Sequence, residues 1–186
     1  MMVGRPVQLV IDKTQARPGE EILHVEDLCV LSHLHKRNAV DHVSFSVRAG
    51  EIVCIAGIDG NGQTELIHGL TGLDKITGGS VTLCGETITH ASIRRRSKNM
   101  SHIPEDRHKH GLVLDFTLEQ NLVLQRYKEP QFQHGGFIRR DAVRAYADRL
   151  IEQFDVRSGQ GAVTIARSMS GGNQQKAIIA REVDRD

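Results

Sequence analysis

The stretch that most constrains this chain is Gly57-Ile58-Asp59-Gly60-Asn61-Gly62-Gln63-Thr64. An apolar run, Ile52 to Ala56, precedes it, and a helical pattern from Glu65 to Leu70 follows. Strand, glycine loop and helix in that order make a phosphate cradle. The glycines let successive N–H groups turn inward, and the helix N-terminus adds partial positive charge. The spacing is that of the phosphate-binding motif G-x-x-x-x-G-K-[ST], with Gln63 in the place of the lysine. Thr64 keeps the hydroxyl that would hold Mg²⁺, while the cation that reaches the phosphates is absent. A purely steric strand-to-helix turn is the competing reading, and the threonine weighs against it.

Composition bounds the rest. A chain of 186 residues is one ordinary domain with room for a core. With 39% hydrophobic and 25% charged residues it matches soluble globular proteins. The net charge of +1 gives no bulk attraction to nucleic acid or acidic substrates. No apolar run approaches the roughly 18 residues that span a bilayer, and the N-terminus lacks a secretory apolar region. Cys29, Cys54 and Cys84 fall in strand-like stretches without C-x-x-C spacing, and read as reduced core thiols of a cytosolic protein.

Residues 1–20 carry Pro6 and Pro18 and little periodicity, as a linker does. Strands are expected over Glu21 to Leu31 and Asn38 to Val47, and again over Ile52 to Ala56. Ser80 to Cys84 and Glu86 to Thr89 form a hairpin about Gly85. Arg94-Arg95-Arg96-Ser97-Lys98 reads as a solvated helix face, because no aromatics interleave it. A short strand from Met100 to Ile103 leads into Pro104-Glu105-Asp106-Arg107, and His108, Lys109 and His110 lie in a polar loop without a complete ligand set for a metal. Thr117-Leu118-Glu119-Gln120 has capping-box form and opens a helix through Leu124. Asp141 is expected to cap the longest helix, whose stripe is Val143, Tyr146, Ala147, Leu150, Ile151 and Phe154.

A second motif, Ser170-Gly171-Gly172-Asn173-Gln174-Gln175-Lys176, opens another helix. Ser170 suits an N-cap, and the glycines leave first-turn N–H groups open to an anion. Together the motifs resemble the ABC-type ATPases. Ser170 to Gln174 resembles the family signature, with Met169 for its leucine, and Glu105 stands where the family has a glutamine. The wording Gly-Ile-Asp-Gly-Asn-Gly-Gln with Ile103-Pro104-Glu105-Asp106-Arg107 is similar to the second cassette of sugar-type importers, its nucleoside branch above all.

The resemblance implies an α/β, P-loop NTPase fold with an N-terminal antiparallel β subdomain and a helical subdomain at about 106–170. Residues 1–20 would be an inter-cassette linker and 21–186 a partial ATP-binding domain. The family's Walker B strand and catalytic carboxylate come after Asp186, so the chain reads as a fragment with an incomplete core sheet. ATP would rest on Gly57, Asp59, Gly60, Asn61, Gly62, Gln63, Thr64, Glu65 and Glu105, with Mg²⁺ on Thr64 and Glu105. Ser170, Gly171 and Gly172 would act in trans, on nucleotide held by the first cassette. The aromatic expected to stack on adenine is missing; its place falls near His33-Leu34-His35.

The implied function is an ATP-binding subunit energising import of a nucleoside or simple sugar. Its partners would be the first cassette, membrane permease subunits and, indirectly, a substrate-binding protein. Such a subunit lies in the cytoplasm against the inner face of the cell membrane. A non-catalytic regulatory domain and a soluble ABC protein acting on nucleic acid are the alternatives; near-neutral charge speaks against nucleic acid.

Overall fold

The computed structural model describes residues 15–184. Most of the linker expected over 1–20 lies outside them. The chain divides into two compact units between Met100 and Ser101.

The first unit is built on a four-stranded sheet. Strands β1 (Glu21–Leu31), β2 (Asn38–Arg48), β3 (Ile76–Leu83) and β4 (Glu86–Thr87) lie in the order β2-β1-β3-β4, every pair antiparallel. Helix α1 (Gln63–Thr71) contributes Leu66 and Leu70 to the core that this sheet forms with Val25, Leu28, Val30 and Val81. Leu66 and Leu70 share one face of α1 at the helical period, whereas on β1 the alternation breaks between Val25 and Leu28, where the register shifts and Asp27 takes φ 53°.

Two expected strands do not form. Ile52 to Ala56 and Met100 to Ile103 pair with no strand among the described residues. Ile52 is 93% exposed and Ile55 45%. An apolar run becomes a strand only when a neighbour takes up its N–H and C=O groups, and no parallel neighbour is described here. The core sheet is accordingly incomplete. Two thiols follow the same correction: Cys29 is buried, but Cys54 and Cys84 are exposed.

The basic run also departs from expectation. Arg94 and Arg95 face solvent, whereas Arg96, last residue of α2 (Ile93–Arg96), is 3% exposed. Its guanidinium donates to the carbonyls of Leu70 (2.7 Å), Gly69 (3.3 Å), Thr89 (2.7 Å) and Ala91 (3.1 Å). Charge counting along the sequence cannot distinguish this arginine from its neighbours.

In the second unit α3 (Leu118–Val123), α4 (Arg140–Gln153) and α5 (Gly171–Val183) enclose one core. It holds Leu118, Leu122, Val143, Ala147, Leu150, Ala177 and Ala180, with Phe132 from the connection between α3 and α4. That connection carries a two-residue hairpin, β5 (Gln133–His134) with β6 (Phe137–Ile138). The capping box forms as expected: Thr117 Oγ1 accepts from Gln120 N–H, and Gln120 Oε1 accepts from Thr117 N–H. Val143, Tyr146, Ala147 and Leu150 are buried on one stripe of α4, with Ile151 and Phe154 packed beside them. Asp141 is not the cap of α4. The helix begins one residue earlier, with Arg139 at the N-cap, and Asp141 complements the dipole from the first turn. Residues 107–111 form a single π-helical turn instead of an irregular loop, capped by the Asp106 carboxylate.

Arg96→Leu keeps the volume and strips four carbonyls of their donor, so a loss of about 2–4 kcal/mol is expected, against about 0.5 kcal/mol or less for Arg94→Leu on the surface. Urea unfolding of the two variants checks this. A pH effect is also expected at Asp184. Hydrogen bonds from Arg149 (2.7 and 2.9 Å) hold its carboxyl below the ordinary range, against partial desolvation. A depressed folded-state pKa gives stability that is present above the unfolded value of about 4 and lost as pH falls through the folded value. The thermal midpoint of Asp184→Asn should therefore fall less than that of the native chain between about pH 6 and pH 3.

Candidate functional site

The glycine loop enters from the turn Arg48–Glu51, closed by Glu51 N–H to Arg48 C=O at 3.0 Å and by the Glu51 carboxylate on Arg48 N–H at 2.8 Å. Asp59 and Gly60 make the turn, with Asn61 N–H donating to Ile58 C=O at 3.3 Å. Gly60 (φ 84°) and Gly62 (φ 88°) are both left-handed, and Gly62 is the N-cap of α1. A Cβ on Gly62 would overlap the carbonyl of Ala39, so only glycine fits there. No described side chain caps α1, and its first-turn N–H groups face the loop without an internal partner.

Gln63 occupies this loop from the lysine position. Its Nε2 donates to Ile58 C=O at 3.3 Å, and the amide lies so close to Gly57 that a Cβ there would overlap it. A neutral amide thus sits where the motif places an ammonium. It binds the loop to itself and brings no charge to a phosphate. Thr64 is exposed on the first turn and Glu65 is beside it. The donor set fits a phosphate through backbone N–H groups, and Thr64 offers one hydroxyl oxygen to Mg²⁺.

An open cleft of about 670 Å³ adjoins the loop. Gly60, Asn61 and Glu65 line one side, and Ser32, Leu34, His35 and Arg37 of the β1–β2 connection line the other. Leu34 and His35 are therefore within the nucleotide-sized space, whereas His33 bonds Asp74 at 2.7 Å. Arg37, which the sequence motifs do not include, brings one positive charge to this cleft, beside the carboxylates of Asp41 and Glu65.

The second motif lies in the second unit. Ser170 is the N-cap of α5, but its hydroxyl caps nothing; Oγ instead accepts from Asn173 Nδ2 at 2.9 Å. Asn173 Oδ1 in turn accepts from Arg157 N–H at 2.9 Å. Gln174 is 4% exposed, donating to Ala166 C=O at 2.9 Å and meeting His108 Nε2 through Oε1 at 3.0 Å. Lys176 Nζ holds Asp155 at 2.7 Å, and its ammonium keeps that carboxyl below the usual range. Asparagine, glutamine and lysine of the motif thus secure the helix start, leaving Ser170 and Gly172 exposed. Arg107 adds positive charge beside Gly171: a Cβ there would come within 2.9 Å of its Nη2.

Gly57 to Glu65 therefore form one continuous loop and helix start in the first unit. Glu105, exposed, and Ser170 to Gly172 belong to the second. Glu105 adjoins Asp106, whose carboxyl is lowered by N–H bonds from Lys109 (3.0 Å) and His108 (2.9 Å). Asn173 and Arg107 were missed as site residues, because their roles depend on partners 16 and 64 positions away, distances that a local motif does not cover.

The two left-handed glycines differ in surroundings, and their alanine variants should differ in stability. Gly60→Ala meets open space and carries about 1–2 kcal/mol of backbone strain. Gly62→Ala adds the collision with Ala39 and should lose a further 1–3 kcal/mol or so. Equal urea midpoints for the two would show that the Ala39 contact yields freely.

Comparison with known proteins accords with this geometry. The family model described as ABC transporter matches residues 40–186. The nucleoside import ATP-binding protein NupA of Lactococcus lactis subsp. cremoris is 46% identical over 187 residues, covering 100% of this chain and 37% of that protein. The guanosine import ATP-binding protein NupO of Bacillus subtilis is 45% identical, over 100% of this chain and 36% of its own length. A ribose import ATP-binding protein, RbsA of Bacillus licheniformis, is 34% identical over 97% of this chain and 35% of its own. The chain spans a little over a third of these relatives. Among solved structures, the ATP-binding cassette MJ0796 in a dimeric post-hydrolysis state with ADP and Pi superposes with a TM-score of 0.71 at 19% identity, covering 88% of this chain and 70% of that one. The chain belongs to the ABC transporter family and has the fold of its ATP-binding cassettes.

Proposed function

We propose that this chain is a nucleotide-binding module that energises import of a nucleoside or simple sugar, and that its signature helix does more of the work than its glycine loop. The observation that carries this reading is the contrast between the two helix starts. Gln63 spends its amide on Ile58 C=O inside the loop, whereas Asn173 and Gln174 brace the start of α5, Asn173 on the Ser170 hydroxyl oxygen, and leave Ser170 and Gly172 exposed. The import reading draws on the names of the nucleoside, guanosine and ribose import relatives.

In this reading ATP rests on the N–H groups around Gly60, Gly62, Gln63 and Thr64, with Arg37 the candidate cation of the cleft. Mg²⁺ takes the Thr64 hydroxyl, and Glu105 stands at the family's glutamine position. Phosphoryl transfer needs positioning and charge neutralisation above all, and Gln63 neutralises nothing. Ser170, Gly171 and Gly172 instead close over nucleotide held by the first cassette of the parent protein, placing a hydroxyl and a helix N-terminus beside its terminal phosphate. The partners are that first cassette and permease subunits, with a substrate-binding protein acting through them, at the cytoplasmic face of the membrane. Among the described residues no helix is long and apolar enough to cross a membrane itself. Action on nucleic acid gains no support from the arginine run, since Arg96 is committed to backbone carbonyls.

Steady-state ATPase of the parent transporter, reconstituted with its permease, tests the division of labour. Ser170→Arg or Gly171→Asp should abolish turnover and transport, while Gln63→Ala should leave most of both. A Gln63 variant as damaging as the Ser170 variant would refute it. Gln63→Lys should tighten ATP binding to the loop; unchanged affinity would favour a regulatory domain that does not use this loop for nucleotide.

A further inference from the structure

Beyond the two nucleotide motifs, three ligand-type side chains converge at the far end of α1. Asp74 Oδ2 lies 2.7 Å from His33 Nε2 and 3.2 Å from His68 Nδ1. One ligand atom from each residue lies within 4.8 Å of the others. Asp74 and His68 are largely buried, with side chains 15% and 19% exposed, and His33 closes the group from the solvent side at 58%. The two imidazoles meet edge-on, with centroids 6.4 Å apart.

We propose that His33, His68 and Asp74 form a binding site for a divalent transition-metal ion of the zinc type. Two imidazole nitrogens and a carboxylate oxygen are a donor set that zinc takes up with a fourth position left to water. Ligands about 2.0–2.1 Å from a tetrahedral ion stand roughly 3.3 Å from one another, close to the 2.7 and 3.2 Å already present. The two imidazole nitrogens lie within 4.8 Å of each other, and ring rotation would bring them to that spacing. On binding, His33 carries its remaining proton on Nδ1 and His68 on Nε2, so that each presents a lone pair where it now faces Asp74.

The backbone favours the same cation. His68 lies in the last turn of α1, where the helix dipole is negative. Its carbonyl accepts from Gly72 N–H at 2.9 Å and from Asp74 N–H at 3.1 Å, which fixes Asp74 against the helix end before any ion arrives. His68 is on α1 and Asp74 on the short bend that follows it, whereas His33 comes from the β1–β2 connection whose Leu34, His35 and Arg37 wall the cleft. The ion would clip that connection onto α1. Preference should follow the imidazole-rich donor set, with copper, nickel and zinc ahead of magnesium or calcium.

The test is cobalt titration of the full untagged chain, followed by visible absorption, with zinc calorimetry beside it. One tight site is expected, with the visible bands of four-coordinate cobalt, displaced by zinc. His33→Ala removes an exposed loop ligand and should weaken binding by at least about tenfold, and Asp74→Asn should do the same. His42→Ala, in the separate Cys29, Asp41 and His42 cluster, should leave binding unchanged. Absence of cobalt bands and zinc heat up to millimolar metal overturns the proposal. So does affinity that survives His33→Ala, or a loss that follows His42.

Discussion

The first unit depends on a single buried cation. Helix α1 ends with carbonyls that have no helical partner, and Arg96 takes two of them while its other nitrogens reach Thr89 and Ala91. Burial depresses the pKa of its guanidinium, and the converging carbonyl oxygens take up its N–H groups. Through this one side chain the C-terminus of α1 is fastened to the segment that follows the β3–β4 hairpin. The other end of the helix is the glycine loop. The helix that carries the phosphate cradle is thus held by Leu66 and Leu70 in the core and, at its far end, by a residue with no share in the cradle's chemistry.

Two helix N-termini, one per unit, show how similar sequence grammar yields different chemistry. Both begin beside glycine, and no described side chain caps either. At α1 the nearest long side chain, Gln63, turns back into the loop. At α5 the long side chains turn away: Gln174 inward to Ala166, Lys176 sideways to Asp155, and Asn173 across to Ser170 and Arg157. The free N–H groups have the same electrostatic value in both places. What differs is where the neighbouring amide goes: Gln63 folds onto Ile58 in the glycine loop, and Asn173 onto the Ser170 hydroxyl at the N-cap.

Local pattern made much of this legible. The antiparallel strands from Glu21 and Asn38, the capping box at Thr117 and the stripe from Val143 to Leu150 all follow from period and capping chemistry alone. The glycine loop followed from spacing, because left-handed backbone at Gly60 and Gly62 admits few other residues. The failures share a cause. Ile52 to Ala56 has the composition of a strand, but a strand is a relation between segments, and no partner is described for it. Arg96 looked like its solvated neighbours because its acceptors are backbone carbonyls 5 to 27 positions away, which carry no sequence signal. Asp141 missed the cap of α4 by two positions: the N-cap is Arg139, whose N–H is tied to Phe132 C=O across the preceding hairpin.

The closeness of Gly171 to Arg107 has a consequence for how this chain can change over generations. Any side chain at 171 must displace a guanidinium whose Nη2 would lie 2.9 Å from its Cβ, while shortening 107 empties that space and removes a positive charge from the helix start. The effects of substitutions at the two positions cannot then be independent. A larger residue at 171 is admitted when the Arg107 side chain swings aside, and the guanidinium then leaves its place beside the helix start. A change at 171 is therefore felt first at Arg107, a residue outside its own motif, through where that guanidinium can rest.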